Sequence, residues 1–344
     1  MTQSKRIFVI ADFKTVESAA IRLQSRMCVK GLIRAGHDVQ CFSYPNAAMQ
    51  FSRFQKKSRA LKSGKEKADA ALVDQIKVYC PDLILLMVMK YIDCESIRKI
   101  RDAMPGVPIV GRDEDPFPAS YPERLQLAAR TDLMLSTGAG EFLQDYKSAG
   151  VPRVGFLPNM CDPDIQYRYP AEEKYCADIM YSGKVTHSRL GGGGDREAIV
   201  TRLHTMPNCR IYGAFNSPRL WGLDYFRAIS SAKIGLSINY VNNVQMYHSD
   251  RLINYLSCGT FVLARRVPET ERLFEDKVHL RYFETEEECF ELADWYLKHE
   301  NERKNIAAAG MDYAHDQFNG TRMAEYLLEM TEGRVVDAPW YEMI

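Results

Sequence analysis

Four groups of residues in this chain are of types and spacings that can do chemistry. The first is a loop in which Gly183-Lys184 is followed by His187, Arg189 and the run Gly191-Gly192-Gly193-Gly194, between an apolar segment and a helix-period one. Glycines let backbone N–H groups approach an anion, and a helix N-terminus adds positive partial charge. Lys184 and Arg189 would then neutralise a diphosphate; four glycines are equally the mark of a flexible surface loop. The second is His248-Ser249-Asp250-Arg251-Leu252-Ile253-Asn254, a polar loop feeding a helix that Ser249 or Asp250 can cap and Gly259 can end. It makes a second wall for a phosphorylated ligand, or a plain cap with Arg251 in a surface ion pair.

The third group is Asp113-Glu114-Asp115, ahead of Pro116. Asp113 and Asp115 can be read as a carboxylate pair for a divalent ion. They can also be read as groups that deprotonate an acceptor hydroxyl or steady positive charge at a reacting carbon, or as a solvated acidic turn. The fourth is Phe51–Lys67, where Arg53, Lys56, Lys57, Arg59, Lys62, Lys65 and Lys67 face only Glu66, with Phe51, Phe54 and Leu61 interleaved. Such a stretch suits an anionic membrane surface or an acidic acceptor, and it also suits a solvated helix.

The patterns of several other chemistries are missing: no Walker phosphate loop, zinc-protease helix, nucleophile elbow or kinase signature occurs. Gly138-Ala139-Gly140 begins like a dinucleotide fingerprint, but Leu143 stands at the third glycine position and the segment reads as a tight turn. His37, in Ala35-Gly36-His37-Asp38, sits at a helix-to-strand junction and reads as structural.

These groups must be positioned by elements that alternate throughout the chain, as βαβ units do. Strands are expected at Arg6–Ala11, Asp38–Tyr44, Leu83–Met89, Pro108–Gly111, Leu133–Thr137 and Val154–Pro158, with helices at Glu17–Ala35, Ala68–Tyr79, Glu95–Met104 and Glu141–Ala149. Pro158, Pro163 and Pro170 then interrupt the pattern. A second series places strands at Asp178–Ser182, Cys209–Tyr212, Ile234–Asn239, Thr260–Ala264 and His279–Phe283. Its helices are Arg196–Met206, Asp224–Ala232, Asp250–Cys258 and Glu286–Lys298, the last opened by a Thr285/Glu288 capping box, and helix continues to about Glu332. The expected organisation is a Rossmann-like domain over 1–160, a linker over 161–170, a second Rossmann-like domain over 171–318, and a helix and tail over 319–344 packing back on the first.

Length and composition agree with two soluble α/β domains: 344 residues, 46% hydrophobic and 26% charged. The longest apolar run, Leu83–Met89, is too short to span a bilayer. Met1-Thr2-Gln3-Ser4-Lys5-Arg6 leads straight into an apolar strand, so no secretory signal is expected, and nine scattered cysteines suggest no disulfide framework. The expected location is cytoplasmic, with peripheral membrane contact through the basic stretch. Net charge is zero, which argues against a nucleic-acid partner. Residues 1–158 nevertheless carry a balance of +7 and residues 159–344 one of −7, as two units with separate surfaces would.

Arg251 to Ala264, Glu271–Phe274, the acidic start Glu284–Glu288 and the stretch from Asn301-Glu302-Arg303 to Arg322 resemble the C-terminal half of GT-B glycosyltransferases. The nearest group is the spore-maturation-protein (Cge-type) family, related to the retaining group 1 transferases. Gly111–Pro116, Thr131–Thr137, Tyr146–Gly150 and Leu157–Pro163 follow in that group's order. The resemblance implies two Rossmann-like domains facing across a cleft and transfer of a sugar from a UDP or GDP sugar to a saccharide or lipid-linked acceptor, in polysaccharide biosynthesis. Donor contacts implied are Gly183, Lys184, His187, Arg189, Gly213, Tyr240, His248, Ser249, Arg251 and Asn254. Many relatives carry a glutamate for the ribose hydroxyls where this chain has Asn254, and an inactive sugar-nucleotide-binding protein is the alternative. Asp113 and Asp115 are the expected catalytic carboxylates, and Arg53, Lys56, Lys57 and Arg59 the acceptor or membrane contacts. No cofactor or divalent metal is expected, because cations and helix N-termini would take over the metal's electrostatic work.

Overall fold

A computed structural model describes residues 3–13, 23–54, 56–87, 89, 91–114, 121–185 and 194–344. It divides into two compact units, Met1–Leu157 with Gly320–Ile344, and Pro158–Asn319.

The first unit is built on six parallel strands: β1 (Arg6–Ala11), β2 (Asp38–Ser43), β3 (Leu83–Leu86), β4 (Ile109–Asp113), β5 (Leu133–Ser136) and β6 (Arg153–Phe156), in the order β2-β1-β3-β4-β5-β6. The apolar residues of β1 and all of β3 are buried, because a parallel sheet covered on both faces needs unbroken apolar runs rather than alternation. Six helices connect the strands: α1 (Leu23–Arg34), α2 (Tyr44–Gln50), α3 (Lys57–Tyr79), α4 (Cys94–Ala103), α5 (Pro122–Ala128) and α6 (Glu141–Ser148).

Three of these differ from the sequence expectation. The short α2 and α5 each begin with a proline in the first turn, a helix-start signal that the polar surroundings mask. Helix α3 begins at Lys57 rather than Ala68. Its inner face there is a stripe of small residues, Ala60, Gly64 and Ala68, which carries no hydrophobic signal. A Cβ on Gly64 would lie 1.8 Å from the Ala48 carbonyl oxygen, so backbone packs on backbone where α3 crosses α2. Asp69, one turn on, is buried and accepts from Tyr44 Oη at 2.6 Å, Ser96 Oγ at 2.7 Å, Lys65 Nζ at 2.8 Å and Lys99 Nζ at 3.0 Å. Lys65, one of the seven cations of the basic stretch, is therefore spent inside the unit.

The last helix of the chain, α12 (Gly320–Thr331), also belongs to this unit and crosses α1 at a glycine pair. A Cβ on Gly31 would lie 1.9 Å from the Gly320 carbonyl oxygen. Gly31→Ala is therefore expected to cost about 1–3 kcal/mol through forced separation of the helices. A denaturant midpoint equal to the wild type's would show that the crossing is looser than described. Beyond α12, residues 342–344 pair antiparallel with β6 and cover that sheet edge: Ile344 N–H donates to Val154 O at 2.8 Å and Phe156 N–H to Glu342 O at 3.0 Å. Glu342 Oε1 accepts from Gly140 N–H at 3.2 Å, so the Gly138–Gly140 turn is capped by the chain's own carboxylate.

The second unit holds β7 (Ala177–Ser182), β8 (Cys209–Tyr212), β9 (Ala232–Ser237), β10 (Phe261–Arg265) and β11 (Arg281–Phe283), all parallel, in the order β11-β10-β9-β7-β8. Its helices are α7 (Gly194–Thr205), α8 (Leu223–Ser231), α9 (Asp250–Ser257), α10 (Glu286–Lys298) and α11 (Glu300–Gln317). Residues 161–170, expected to form a linker, lie within this unit: Cys161 N–H donates to Phe318 O at 2.8 Å and Gln166 is fully buried. At the start of α10, Thr285 Oγ1 accepts from Glu288 N–H at 3.2 Å, while the Glu288 carboxylate accepts from Glu284 N–H at 2.7 Å, one residue outside the usual capping box. All nine cysteines are free thiols. Among the described residues, no helix is long and apolar enough to cross a membrane.

The order β9-β7-β8 has a particular consequence. The chain leaves β7 to one side to form β8 and later returns on the other side to form β9. The carboxyl end of β7 is thus a topological switch point, where connections diverge and leave a crevice for a ligand.

Candidate functional site

Arg251, in the first turn of α9, reaches back to this switch point. Its Nε donates to the carbonyl of Ser182 at the end of β7 at 2.5 Å, and its Nη1 to the carbonyl of Ile238, just past β9, at 2.9 Å. One guanidinium thus ties two strand ends together. Nη2 lies against Gly183, only 2.5 Å from where a Cβ would be, so a side chain at position 183 would collide with it. The guanidinium also rests over the ring of Tyr181, 4.8 Å from its centroid.

Arg196 approaches the same ring from α7, at 5.7 Å, and lies 5.5 Å from the Tyr240 ring. Its Nη2 donates to the Lys184 carbonyl, which also accepts from Tyr181 Oη at 3.0 Å. Among the described residues, its Nε is buried with no hydrogen-bond partner. Arg196 is 7% exposed and Arg251 8%. Among the described residues, neither makes an ion pair with any carboxylate. Burial, and then the charge of Arg251, lower the pKa of Arg196, although an arginine remains protonated at any ordinary pH. Burial disfavours the charge of Arg251 too, but Tyr181, Tyr255, Tyr225 and Asp250 outweigh it and raise its pKa, so Arg196 is the guanidinium whose charge a nearby anion would relieve most.

The surroundings complete an anion-binding edge. Ser249 stands at the N-cap of α9 and, among the described residues, makes no side-chain cap bond, while its carbonyl accepts from Leu252 N–H at 3.1 Å. Its position is set by Asn239, whose Oδ1 accepts from Ser249 N–H at 2.9 Å and whose Nδ2 donates to Tyr247 O at 2.8 Å. Gly213, at the end of β8, has φ +90°, and a Cβ there would lie 2.9 Å from the Arg219 side chain and 3.6 Å from Gly183 O. The structure therefore gathers Gly183, Lys184, Gly213, Tyr240, Ser249 and Arg251 of the expected donor contacts at one sheet edge. His187 and Arg189 lie outside the described residues.

Two expected donor contacts are used elsewhere. His248 is buried, with Nε2 2.8 Å from Thr270 Oγ1 and its carbonyl accepting from Asn159 Nδ2 at 3.0 Å, so it braces the loop instead of presenting its ring. Asn254 is buried too. Its Oδ1 accepts from Gln166 Nε2 at 2.5 Å and its side chain also bonds Tyr225, so the amide is occupied within the unit. His248 precedes α9 and its ring turns to Thr270, while Asn254 lies a turn beyond Arg251 in α9, where its amide meets Gln166.

Burial pushes the His248 pKa down from 6.5 to about 3, while the unfolded chain keeps the ordinary value. The unfolded state then binds the extra proton, so this residue adds nothing above about pH 6.5 and destabilises progressively as pH falls toward 3, by about 1.4 kcal/mol per pH unit. His248→Gln is expected to flatten the fall of stability between pH 6 and 4 by about one proton. Identical slopes for both proteins would place the histidine outside the core.

In the first unit, Asp113 is not an open carboxylate. It is 3% exposed, accepts from Arg124 Nη1 at 3.2 Å on each oxygen, and accepts from Tyr146 Oη at 2.8 Å. Arg124 is itself 2% exposed. Asp113, expected as a catalytic carboxylate, is thus held by a guanidinium and a phenol, both of which favour its charged form. Asp115 lies outside the described residues. The neighbouring Arg112 Nη1 bonds Glu114 at 3.2 Å. Arg53, Lys56 and Arg59 are exposed, as are Phe51 and Phe54, and the Lys57 side chain is outside the description. No group of three or more His, Cys, Asp or Glu that could hold a metal ion occurs among the described residues.

Arg196 and Tyr181 escaped the sequence reading. A signal for Arg196 was present: with Ile199, Val200 and Leu203 it shares one helix face, and a lone arginine on an otherwise apolar stripe is out of place unless it serves a site.

Residues 196–329 match the glycosyl transferase-like family. No curated protein matches the chain. Among solved structures, HepE of Anabaena in complex with UDP-glucose is similar at 11% identity and TM-score 0.58, over 96% of this chain and 100% of that one. An alpha-glucosyltransferase in complex with UDP-glucose and DNA is similar at 11% identity and TM-score 0.64, again over 96% and 100%. Sucrose-phosphate synthase of Thermosynechococcus elongatus follows at 13% identity and TM-score 0.60, over 96% and 98%. The fold is that of the GT-B glycosyltransferases, two Rossmann-like sheets with a helical C-terminus.

Proposed function

We propose that the protein is a glycosyltransferase that moves a sugar from a nucleoside diphosphate sugar to a glycan or lipid-linked acceptor. The observation that carries this reading is the pair of buried guanidiniums, Arg251 and Arg196, which form no carboxylate ion pair among the described residues, at the switch point of the second sheet. As the bond from the anomeric carbon to the diphosphate breaks, negative charge grows on the leaving group. Cations and N–H groups already held in place stabilise that charge without reorganising. Lys184 adds an exposed cation, and His187 and Arg189 follow it closely in the sequence. With this charge supplied by the protein, no divalent metal is needed.

UDP-glucose is the first donor to test, since HepE and the alpha-glucosyltransferase are both described with it. For the acceptor, Asp115 is the carboxylate we assign to the hydroxyl proton, now that Asp113 is held by Arg124. The exposed Arg53, Lys56 and Arg59, with Phe51 and Phe54 beside them, suit an acidic acceptor or the anionic surface that carries it. A second reading, a protein that binds the sugar nucleotide without transferring it, is favoured by Asn254, which replaces a carboxylate and is bonded to Gln166.

A thermal-shift screen of UDP, GDP and their sugars, followed by an assay of nucleoside diphosphate release with glycan and lipid-linked acceptors, separates these readings. Release that persists in chelator supports metal-free transfer, and release abolished by chelator overturns it. Binding without release supports the second reading. DNA belongs among the acceptors, because the alpha-glucosyltransferase is described with it. Stabilisation by none of the nucleotides would remove the assignment altogether.

A further inference from the structure

We infer that the second unit carries a further binding site, for a neutral sugar ring of a glycan chain, built on Tyr167 and Tyr169 at the edge of its sheet opposite the switch point. The ligand class rests on the reading of the protein as a glycosyltransferase, but none of the residues belongs to the switch-point site.

The rings of Tyr167 and Tyr169 stack, with centroids 4.2 Å apart and planes 23° from parallel. Tyr169 is the anchored member: its N–H donates to Ser230 Oγ at 3.1 Å and its Oη to the Ile165 carbonyl at 2.8 Å. Tyr167 leans on that fixed ring and is nevertheless 43% exposed. A lone surface tyrosine loses rotamer freedom when a ligand covers it, whereas the stack has already restricted this one. The position follows from the neighbours. Ser230 and Ser231 end α8 and Ala232 opens β9, while Arg168 Nη1 donates at 3.0 Å to the carbonyl of Gly259, just before β10. The stack therefore lies at the amino ends of β9 and β10. Strand β9 runs for six residues, a length of about 20 Å, and the switch point is at its other end.

The chemistry around the stack selects the ligand. Arg227 lies close enough to Tyr169 to act on its hydroxyl electrostatically. Its Nε is 3.3 Å from Glu172 Oε1, and Lys174 Nζ is 3.3 Å from Glu172 Oε2. These pairs cancel one another's charge but remain half-exposed donors and acceptors. Residues 159–344 carry a balance of −7, which disfavours a phosphorylated ligand or a nucleic acid here. A protein partner needs about 800 Å² on each side with an apolar centre, and one exposed ring among charged residues does not supply it. A sugar ring matches what is present: its C–H face lies on the aromatic ring, and its rim of hydroxyls meets the carboxylate and the cations. A glycan held here by its inner rings has its end kept at a raised effective concentration near the protein.

The test is affinity electrophoresis of the whole protein in native gels containing dextran, soluble starch, galactomannan or laminarin, read beside UDP-induced thermal shifts. At least one of these neutral polysaccharides is expected to retard the wild type. Tyr167→Ala should need about fivefold more of it for the same retardation, and Tyr167→Phe, which keeps the ring, should stay within about twofold. Melting temperatures and UDP shifts of both variants should equal those of the wild type, because the ring is exposed and the switch point is distant. Equal retardation of wild type and Tyr167→Ala, or retardation of the wild type by none of the polysaccharides, overturns the proposal, and a UDP shift observed in that case leaves the glycosyltransferase reading standing. Retardation that depends on Tyr167 without any UDP shift keeps this site and removes the nucleotide assignment.

Discussion

Arg251→Met is expected to weaken nucleoside diphosphate binding at least tenfold and to lower stability at the same time. The second effect follows from the first geometry: the carbonyls of Ser182 and Ile238 lose their donor and are left in a buried setting, at about 1–3 kcal/mol for each unsatisfied group. Removal of a buried charge offsets part of this. Binding is therefore best read as ligand-induced stabilisation of each protein against its own ligand-free state. A ligand at 100 times its Kd stabilises by about 2.7 kcal/mol, and a tenfold loss of affinity reduces that to about 1.4 kcal/mol at the same concentration. Arg251→Lys keeps the charge but cannot bridge two carbonyls, and should fall between the two. Equal ligand shifts in wild type and Arg251→Met would show that the diphosphate binds elsewhere.

The second large effect is expected in the other unit. Asp113→Ala removes the carboxylate that neutralises Arg124 and leaves Tyr146 Oη without its acceptor. Breaking a buried pair from one side typically costs about 3–5 kcal/mol, because a desolvated charge is left uncompensated. Asp113→Asn keeps an acceptor and should lose less, about 1–3 kcal/mol. Both variants should retain nucleoside diphosphate affinity, since the second unit supplies that site. Urea denaturation measures the first effect and titration the second. A variant as stable as wild type but slow in sugar transfer would restore Asp113 as a catalytic group.

Much of the candidate site could be read before any coordinates. Gly183, Lys184, Ser249 and Arg251 stand where short-range rules put them, after a strand or in the first turn of a helix, and the structure brings these stretches to one edge. Two other expected donor residues show the limit of such rules. His248 and Asn254 neighbour Arg251 in the chain, yet their side chains point to Thr270 and Gln166. The partner of Asp113 was hidden for a related reason: an acidic triplet in a polar setting looks solvated, and the guanidinium that meets its first member sits 11 residues away, inside an unexpected helix.

From the residue order alone came the alternation of strands and helices, the two-unit organisation and the glycine-bounded turns, because each is encoded within a dozen or so neighbouring residues by periodicity and backbone preference. Tertiary structure alone decided which charges meet. Arg251 reaches a carbonyl 69 residues away because the sheet sets β9 beside β7, and it stands beside Arg196 because α7 and α9 both converge on Tyr181. Strand order, and the pairing or isolation of a buried charge that follows from it, are properties of contacts distant in sequence, and the periodicity of a single segment carries no trace of them.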